Sequence, residues 1–188
     1  MILVTGGARS GKSTFGESLL EDKNRVLYIA TSVITDEEME DRVRKHRESR
    51  SSDWETLEAY KDMHLKIKGK YDGIILDCMT VMVTNLLFEN MESFEEEDFL
   101  KLDYRNREQE ILKEVSGMVE AFKKAEEENG TETVIITNEV GAGIVPEYKT
   151  GREFRDIAGR VNQYLAKEAD KVFWVVSGIP VKIKGEQE

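Results

Sequence analysis

Short apolar runs recur along this 188-residue chain, separated by stretches whose apolar residues return every three or four positions. The runs at 1–5, 25–30, 73–77, 133–137 and 171–176 are nearly all apolar, and a shorter one stands near 181–184. Continuous rather than alternating hydrophobicity marks strands covered on both faces. These runs therefore predict an α/β fold, a mostly parallel central sheet flanked by helices. The longest helical pattern begins near Glu95 and stops before Asn129-Gly130, with Ile111, Leu112, Val115, Met118, Val119 and Phe122 on one face. The acidic groups at 95–98 and 126–128 read as solvated helix surface. With no internal repeat and no Pro/Gly/Ser-rich linker, residues 1–188 read as one domain.

Composition narrows the function. Acidic residues outnumber basic ones 38 to 27, a net charge of −11. That argues against a general nucleic-acid binder, which normally carries a basic face. The charged fraction of 35%, rich in Glu and Lys, is a weak sign of a heat-adapted source. Apolar stretches reach only five or six residues, far short of the ~20 that span a bilayer, and no secretory pattern follows Met1. The one cysteine, Cys78, cannot form an intrachain disulfide. A cytoplasmic protein without a membrane span is expected.

The sharpest local signal is Gly6-Gly7-Ala8-Arg9-Ser10-Gly11-Lys12-Ser13, a complete GxxxxGK[ST] motif between an apolar strand and a helix bearing Phe15, Leu19 and Leu20. Glycines let the backbone curl so that N–H groups point inward at phosphate oxygens. Lys12 would neutralise β- and γ-phosphate charge, the Ser13 hydroxyl can ligate Mg²⁺, and the helix N-terminus adds partial positive charge. P-loop proteins usually take a second metal contact from an acid ending a buried strand. Asp77 closes the run Gly73-Ile74-Ile75-Leu76-Asp77 and is the candidate, a helix cap being its alternative role. Cys78 reads as a small packed residue rather than a nucleophile, since no histidine partner is evident.

Two histidines are present. His64 lies in a polar stretch and reads as a surface residue. His46 lies within Asp41-Arg42-Val43-Arg44-Lys45-His46-Arg47-Glu48-Ser49-Arg50, a segment that suits a helix capped by Thr35-Asp36. On such a helix Arg42, His46 and Arg50 share one face. Neighbouring cations would keep the imidazole neutral and nucleophilic. Composition alone nevertheless favours a solvated basic helix.

The ordered set of motifs resembles the bifunctional adenosylcobinamide kinase/adenosylcobinamide-phosphate guanylyltransferase family. The resemblance starts at Met1-Ile2-Leu3-Val4-Thr5 and the phosphate loop. It continues through Leu27-Tyr28-Ile29-Ala30-Thr31-Ser32, the His46 segment up to Trp54, and Met82-Val83-Thr84-Asn85-Leu86-Leu87. Its most specific part is Thr137-Asn138-Glu139-Val140-Gly141-Ala142-Gly143-Ile144-Val145-Pro146. Phe154-Arg155-Asp156, Gly159, Asn162-Gln163, Ala169-Asp170 and Val175-Val176-Ser177-Gly178 follow in order.

The resemblance implies a P-loop NTPase-like fold and a role in cobalamin assembly. ATP or GTP would phosphorylate adenosylcobinamide, and GMP would then pass from GTP to adenosylcobinamide phosphate through a guanylyl-histidine, which by motif position is His46. It also implies nucleotide contacts at Thr31, Ser32, Val33, Arg47, Glu48, Ser49, Arg50, Glu58 and Asp77, with Mg²⁺ on Ser13 and Asp77. Glu58 can accept the guanine N1–H and N2 donors, a surface acid being its alternative. The family often has Glu where this chain has Asp77. Family assembly is commonly a trimer, in which Arg155-Asp156 could serve an interface. Gly141 and Gly143 suggest a turned loop after the 133–137 strand, where parallel sheets place ligand loops. Arg152, Arg155 and Arg160 suit phosphates or a helix surface equally. The competing readings are another P-loop small-molecule kinase with a structural His46, and a non-catalytic nucleotide switch.

Overall fold

The computed structural model describes residues 1–32, 54–91, 93 and 95–186. The segment carrying Val33, His46, Arg47, Glu48, Ser49 and Arg50, with its expected helix, lies outside the described residues.

Seven strands form one sheet: β1 (Ile2–Gly6), β2 (Val26–Ala30), β3 (Glu55–Glu58), β4 (Gly73–Asp77), β5 (Glu132–Asn138), β6 (Lys171–Val176) and β7 (Ile179–Lys184). Their order is β3-β2-β4-β5-β1-β6-β7, parallel throughout except for β6 and β7. The apolar runs thus became strands within a residue or two. The last strand starts earlier than its pattern suggested, because Ser177 (φ 51°) and Gly178 (φ 82°) close a hairpin. Two left-handed residues in succession match the twist of antiparallel strands. β3 had no apolar run to announce it: it is an edge strand whose Glu55, Thr56 and Glu58 are exposed.

Six helices are described: α1 (Lys12–Ser18), α2 (Met63–Lys66), α3 (Met79–Leu87), α4 (Glu96–Lys101), α5 (Tyr104–Asn129) and α6 (Lys149–Glu168). The single helix expected from Glu95 to Asn129 is two. Leu102 is extended, and Asp103 caps α5 by accepting from the Asn106 N–H at 3.1 Å. A side-chain cap of this kind starts a new helix rather than continuing the old one. Gly130, left-handed at φ 68°, ends α5 as its position suggested.

Strand side chains alternate between two cores. On one face Ile2, Val4, Tyr28, Ile75, Val134 and Ile136 pack under α1. A side chain at Gly16 of α1 would meet Ile136 Cδ1 at 2.9 Å, so glycine lets this helix ride close to the sheet. On the other face Leu3, Ile29, Ile74, Leu76 and Ile135 meet Met82 of α3, Val115, Met118 and Phe122 of α5, and Ile157 and Val161 of α6. Phe122 and Met82 are fully buried, each contributing roughly 1.5–3 kcal/mol of transfer free energy. Because β1 to β6 run parallel, their carboxyl ends share one edge, and there such sheets place their ligand sites. Among the described residues no helix is long and apolar enough to cross a membrane.

Candidate active site

β1 delivers the chain to the phosphate loop, and α1 begins at Lys12. The loop's glycines serve different needs. A Cβ on Gly6 would lie 2.6 Å from the Val175 carbonyl, so the strand end must pass β6 bare. Gly11 is left-handed at φ 91° and abuts Gly178, whose Cα would be 3.2 Å from a Cβ there. Gly7 meets neither constraint, whereas Arg9 takes a left-handed turn at φ 55° without being glycine. Lys12 is 8% exposed, and its Nζ donates to the Gly7 carbonyl at 3.1 Å, so the ammonium lies folded across the loop it charges. The Gly178 N–H donates to the Ser10 carbonyl at 2.8 Å, pinning the loop from the β6–β7 turn. Sequence reasoning missed that tie, although Ser-Gly between two apolar runs is a hairpin signal.

Asp77 ends β4, paired in register with Ala30 of β2. Tyr28 Oη donates to Asp77 Oδ2 at 2.9 Å, fixing the rotamer of the half-buried carboxylate. Half-buried Ser13 stands in the first turn of α1. A hydroxyl and a carboxylate form the hard, sparse donor pair that suits Mg²⁺, which keeps several waters and shares substrate phosphates. No cluster of three or more His, Cys, Asp or Glu side chains suited to a metal occurs among the described residues.

Thr31 is a brace. Its Oγ1 donates to the Cys78 carbonyl at 2.8 Å and accepts from the Cys78 N–H at 2.9 Å. Its own carbonyl accepts from Asn85 Nδ2 at 2.7 Å. Thr31, Ser32 and Glu58 line one cleft of about 360 Å³ with Ala59, Tyr60, Lys61 and Lys66. This cleft lies at the β2–β3 end of the sheet, where Ala30 and Glu58 are in register. Four strand spacings separate β3 from β1, roughly 19 Å. The predicted contacts thus run along the carboxyl edge of the sheet: the loop and Ser13 after β1, Asp77 at the end of β4, then Thr31, whose N–H donates to the Asp77 carbonyl at 3.2 Å, with Ser32 and Glu58 beyond it toward the β3 edge.

Of the three candidate arginines, Arg160 and Arg152 tie parts of the fold together, whereas Arg155 faces a cavity. Arg160 pairs with both oxygens of Glu108, tying α6 to α5. Arg152 Nη1 donates to the Pro146 carbonyl at 3.0 Å. Arg155, whose nearest carboxylate is Asp156 at 3.9 Å, lines a cavity of about 600 Å³ with Thr5, Glu139, Asn162 and Gln163. Cys78 is 8% exposed, and burial, aided by the Asp77 charge, pushes its thiol up to about 11. It is a packed residue, as expected. His64 is exposed on α2.

The family model described as cobinamide kinase / cobinamide phosphate guanyltransferase matches residues 2–183. Escherichia coli K12 has a relative named bifunctional adenosylcobalamin biosynthesis protein CobU, 46% identical over 187 residues, covering 98% of this chain and 99% of that one. The CobU of Salmonella typhimurium LT2 is 48% identical with the same coverage. The CobP of Pseudomonas aeruginosa is 32% identical over 189 residues, covering 98% and 97%. With agreement along almost its whole length, this chain belongs to the cobinamide kinase / cobinamide phosphate guanyltransferase family.

Proposed function

We propose that this chain phosphorylates adenosylcobinamide and then guanylylates the product within cobalamin biosynthesis, using one phosphate loop for both triphosphate reactions. The observation that carries the reading is the intact loop, with buried Lys12 lying across it, in a chain of this family. In the kinase step the corrinoid hydroxyl oxygen bonds to the γ-phosphorus of ATP or GTP. The bond from that phosphorus to the β–γ bridging oxygen breaks, the nucleoside diphosphate leaves and the hydroxyl proton is released. In the transferase step an imidazole nitrogen of His46 bonds to the α-phosphorus of GTP and pyrophosphate leaves. A phosphate oxygen of adenosylcobinamide phosphate then displaces the histidine, giving adenosylcobinamide-GDP and free His46. Splitting the displacement between two anions through a neutral nucleophile lowers the barrier that their charges raise.

The loop residues Gly6, Gly7, Ala8, Arg9, Ser10 and Gly11 would cradle the phosphates through backbone N–H groups, with Lys12 supplying the fixed charge. Ser13 and Asp77 would hold Mg²⁺, which when bound neutralises charge on the transferring group. Arg47, Glu48, Ser49 and Arg50 beside His46, with Thr31, Ser32, Val33 and Glu58, are assigned to the nucleotide by motif position. The cytoplasm is the proposed compartment, because it supplies nucleoside triphosphates.

We also read the assembly as a homotrimer. Trp174, Val176, Ile179, Val181 and Ile183 of the β6–β7 hairpin are 42–66% exposed. Trp174 faces Val181 and Val176 faces Ile179 across the strands. So contiguous an apolar patch on a chain of net charge −11 suits contact with another copy.

The decisive experiment is incubation with GTP labelled at the α-phosphate. The expected result is an acid-labile, base-stable adduct that maps to the His46 peptide and is absent from His46→Ala, which keeps much of the kinase activity. Equal labelling of the variant would remove His46 from the mechanism. A wild type that moves only the γ-phosphate would favour the simple small-molecule kinase.

A further inference from the structure

β5 runs between the strand that ends in the phosphate loop and the strand that ends in Asp77. Register puts Asn138 level with Gly6, and Ile136 level with Asp77. β4 turns away after Asp77 into α3, so the last residue of β5 has no strand partner on that side. Three side chains take over. The Asn138 N–H donates to Thr80 Oγ1 at 2.7 Å, and the Asn138 carbonyl accepts from Asn162 Nδ2 at 3.0 Å. Thr137 Oγ1 donates to Asn162 Oδ1 at 2.8 Å and lies 3.3 Å from Thr80 Oγ1.

Thr137 has one hydroxyl proton, and Asn162 receives it, so Thr80 must donate to Thr137. The bonds then close a ring with one direction: Asn138 N–H to Thr80, Thr80 to Thr137, Thr137 to Asn162, Asn162 back to the Asn138 carbonyl. Thr80 and Thr137 are buried, where such a satisfied network is rigid and an unmade bond is costly. One residue on, the Glu139 N–H donates to the Gly6 carbonyl at 3.0 Å. The Asn138 peptide is therefore fixed from α3, α6 and the start of the phosphate loop together.

The side chain so fixed has little to hold. Among the described residues its carboxamide finds only Cys78 Sγ, 4.0 Å from Nδ2, a weak acceptor. Its direction follows from strand alternation. Ile136 points to the α1 face, under Gly16, so Asn138 points to that face as well. It stands two residues, about 6.6 Å, further toward the carboxyl edge. Along α1, which returns antiparallel to the strand, that distance is about four residues. From Gly16 it leads to Lys12 and Ser13.

We propose that Asn138 is a phosphate-contacting residue, its carboxamide N–H donating to the terminal phosphates of the triphosphate seated in the loop, with Thr80, Thr137 and Asn162 as the residues that position it. The assignment rests on the phosphate-loop reading above and deepens it. The ring removes the backbone freedom that a contact aimed at a transferring group would otherwise have to lose on binding.

The test is calorimetric binding of GTP and of GDP, each with Mg²⁺, to the full chain. Asn138→Ala is expected to weaken GTP by roughly ten- to hundred-fold, the range for a hydrogen bond to a charged group, with GDP changed by less than about three-fold. Asn138→Asp, nearly isosteric, places a carboxylate there and should weaken GTP further. Asn162→Asp keeps the acceptor for Thr137 but loses the donor to the Asn138 carbonyl, and should reproduce part of the selective loss. A wild-type ratio of GTP to GDP affinity in Asn138→Ala would overturn the proposal, as would an equal fall for both nucleotides. If Asn138→Ala fails to fold, judged by its thermal transition, Asn138→Asp decides on the same criterion. Failure of the wild type itself to bind GTP would instead sink the phosphate-loop reading and take this inference with it.

Discussion

The N–H of Gly178 donates to the carbonyl of Ser10 at 2.8 Å, so the turn of the last hairpin closes the phosphate loop at the start of the chain. Gly178 does this with φ 82°, a conformation that costs an L side chain roughly 1–2 kcal/mol. Gly178→Val should therefore lower stability by about that amount in urea unfolding and weaken GTP binding at the same time. A destabilised variant with unchanged GTP affinity would show that the turn supports the fold but not the loop.

Lys12→Ala removes the buried ammonium that lies on the Gly7 carbonyl. Both half-reactions should then suffer, with γ-phosphoryl transfer and α-label uptake each falling by roughly a hundred-fold. Kinase turnover at the wild-type rate would separate the two activities into different sites.

Tyr28 fixes the Asp77 carboxylate through a 2.9 Å hydrogen bond from within the core. Tyr28→Phe keeps the ring packed and deletes only that bond. The Mg²⁺ concentration for half-maximal activity should rise by roughly ten-fold, as for other partners that orient a metal ligand, and Asp77→Asn should do more. A magnesium response identical to wild type in both variants would remove Asp77 from the metal site.

Burial holds the Cys78 thiol protonated to about pH 11, against an ordinary 9.0. The folded state binds this proton more tightly than the unfolded chain does. Its contribution is thus fully present below pH 9 and is lost as pH rises through 11. Two pH units correspond to about 2–3 kcal/mol. Cys78→Ala should flatten this alkaline fall in unfolding free energy, and wild-type Cys78 should resist iodoacetamide at pH 8 until the protein is unfolded. Rapid alkylation of the native protein would contradict the burial argument.

Trp174→Glu puts a charge on the exposed hairpin face. Sedimentation should show smaller species than wild type, with the monomer's circular dichroism retained. An unchanged mass would place the subunit contact elsewhere.

The setting of the Gly6–Ser13 loop was legible because its motif is made of consecutive residues between an apolar run and a helical pattern, and it lies between β1 and α1 as that order implies. The parallel strands were legible because burial on both faces leaves an uninterrupted apolar run, as at Gly73-Ile74-Ile75-Leu76. β3 was not, since an edge strand with one partner can keep Glu55 and Glu58 in water and carries no such run. The break at Leu102-Asp103 was hidden too: Leu102 continues the apolar spacing, and only the bond from the Asn106 N–H to Asp103 marks a new helix start.

Taken alone, the sequence determined the fold class, the place of the Gly6–Ser13 loop between β1 and α1, and the acid that ends β4, all consequences of neighbours along the chain. The tertiary structure decided what depends on strand order. It set Asn138 level with Gly6, carried Gly178 from the far end of the chain to Ser10, and separated Glu58 from the loop by four strand spacings. Local patterns record which residues are buried, but not which strand lies beside which. That choice belongs to the packing of the whole sheet against its helices.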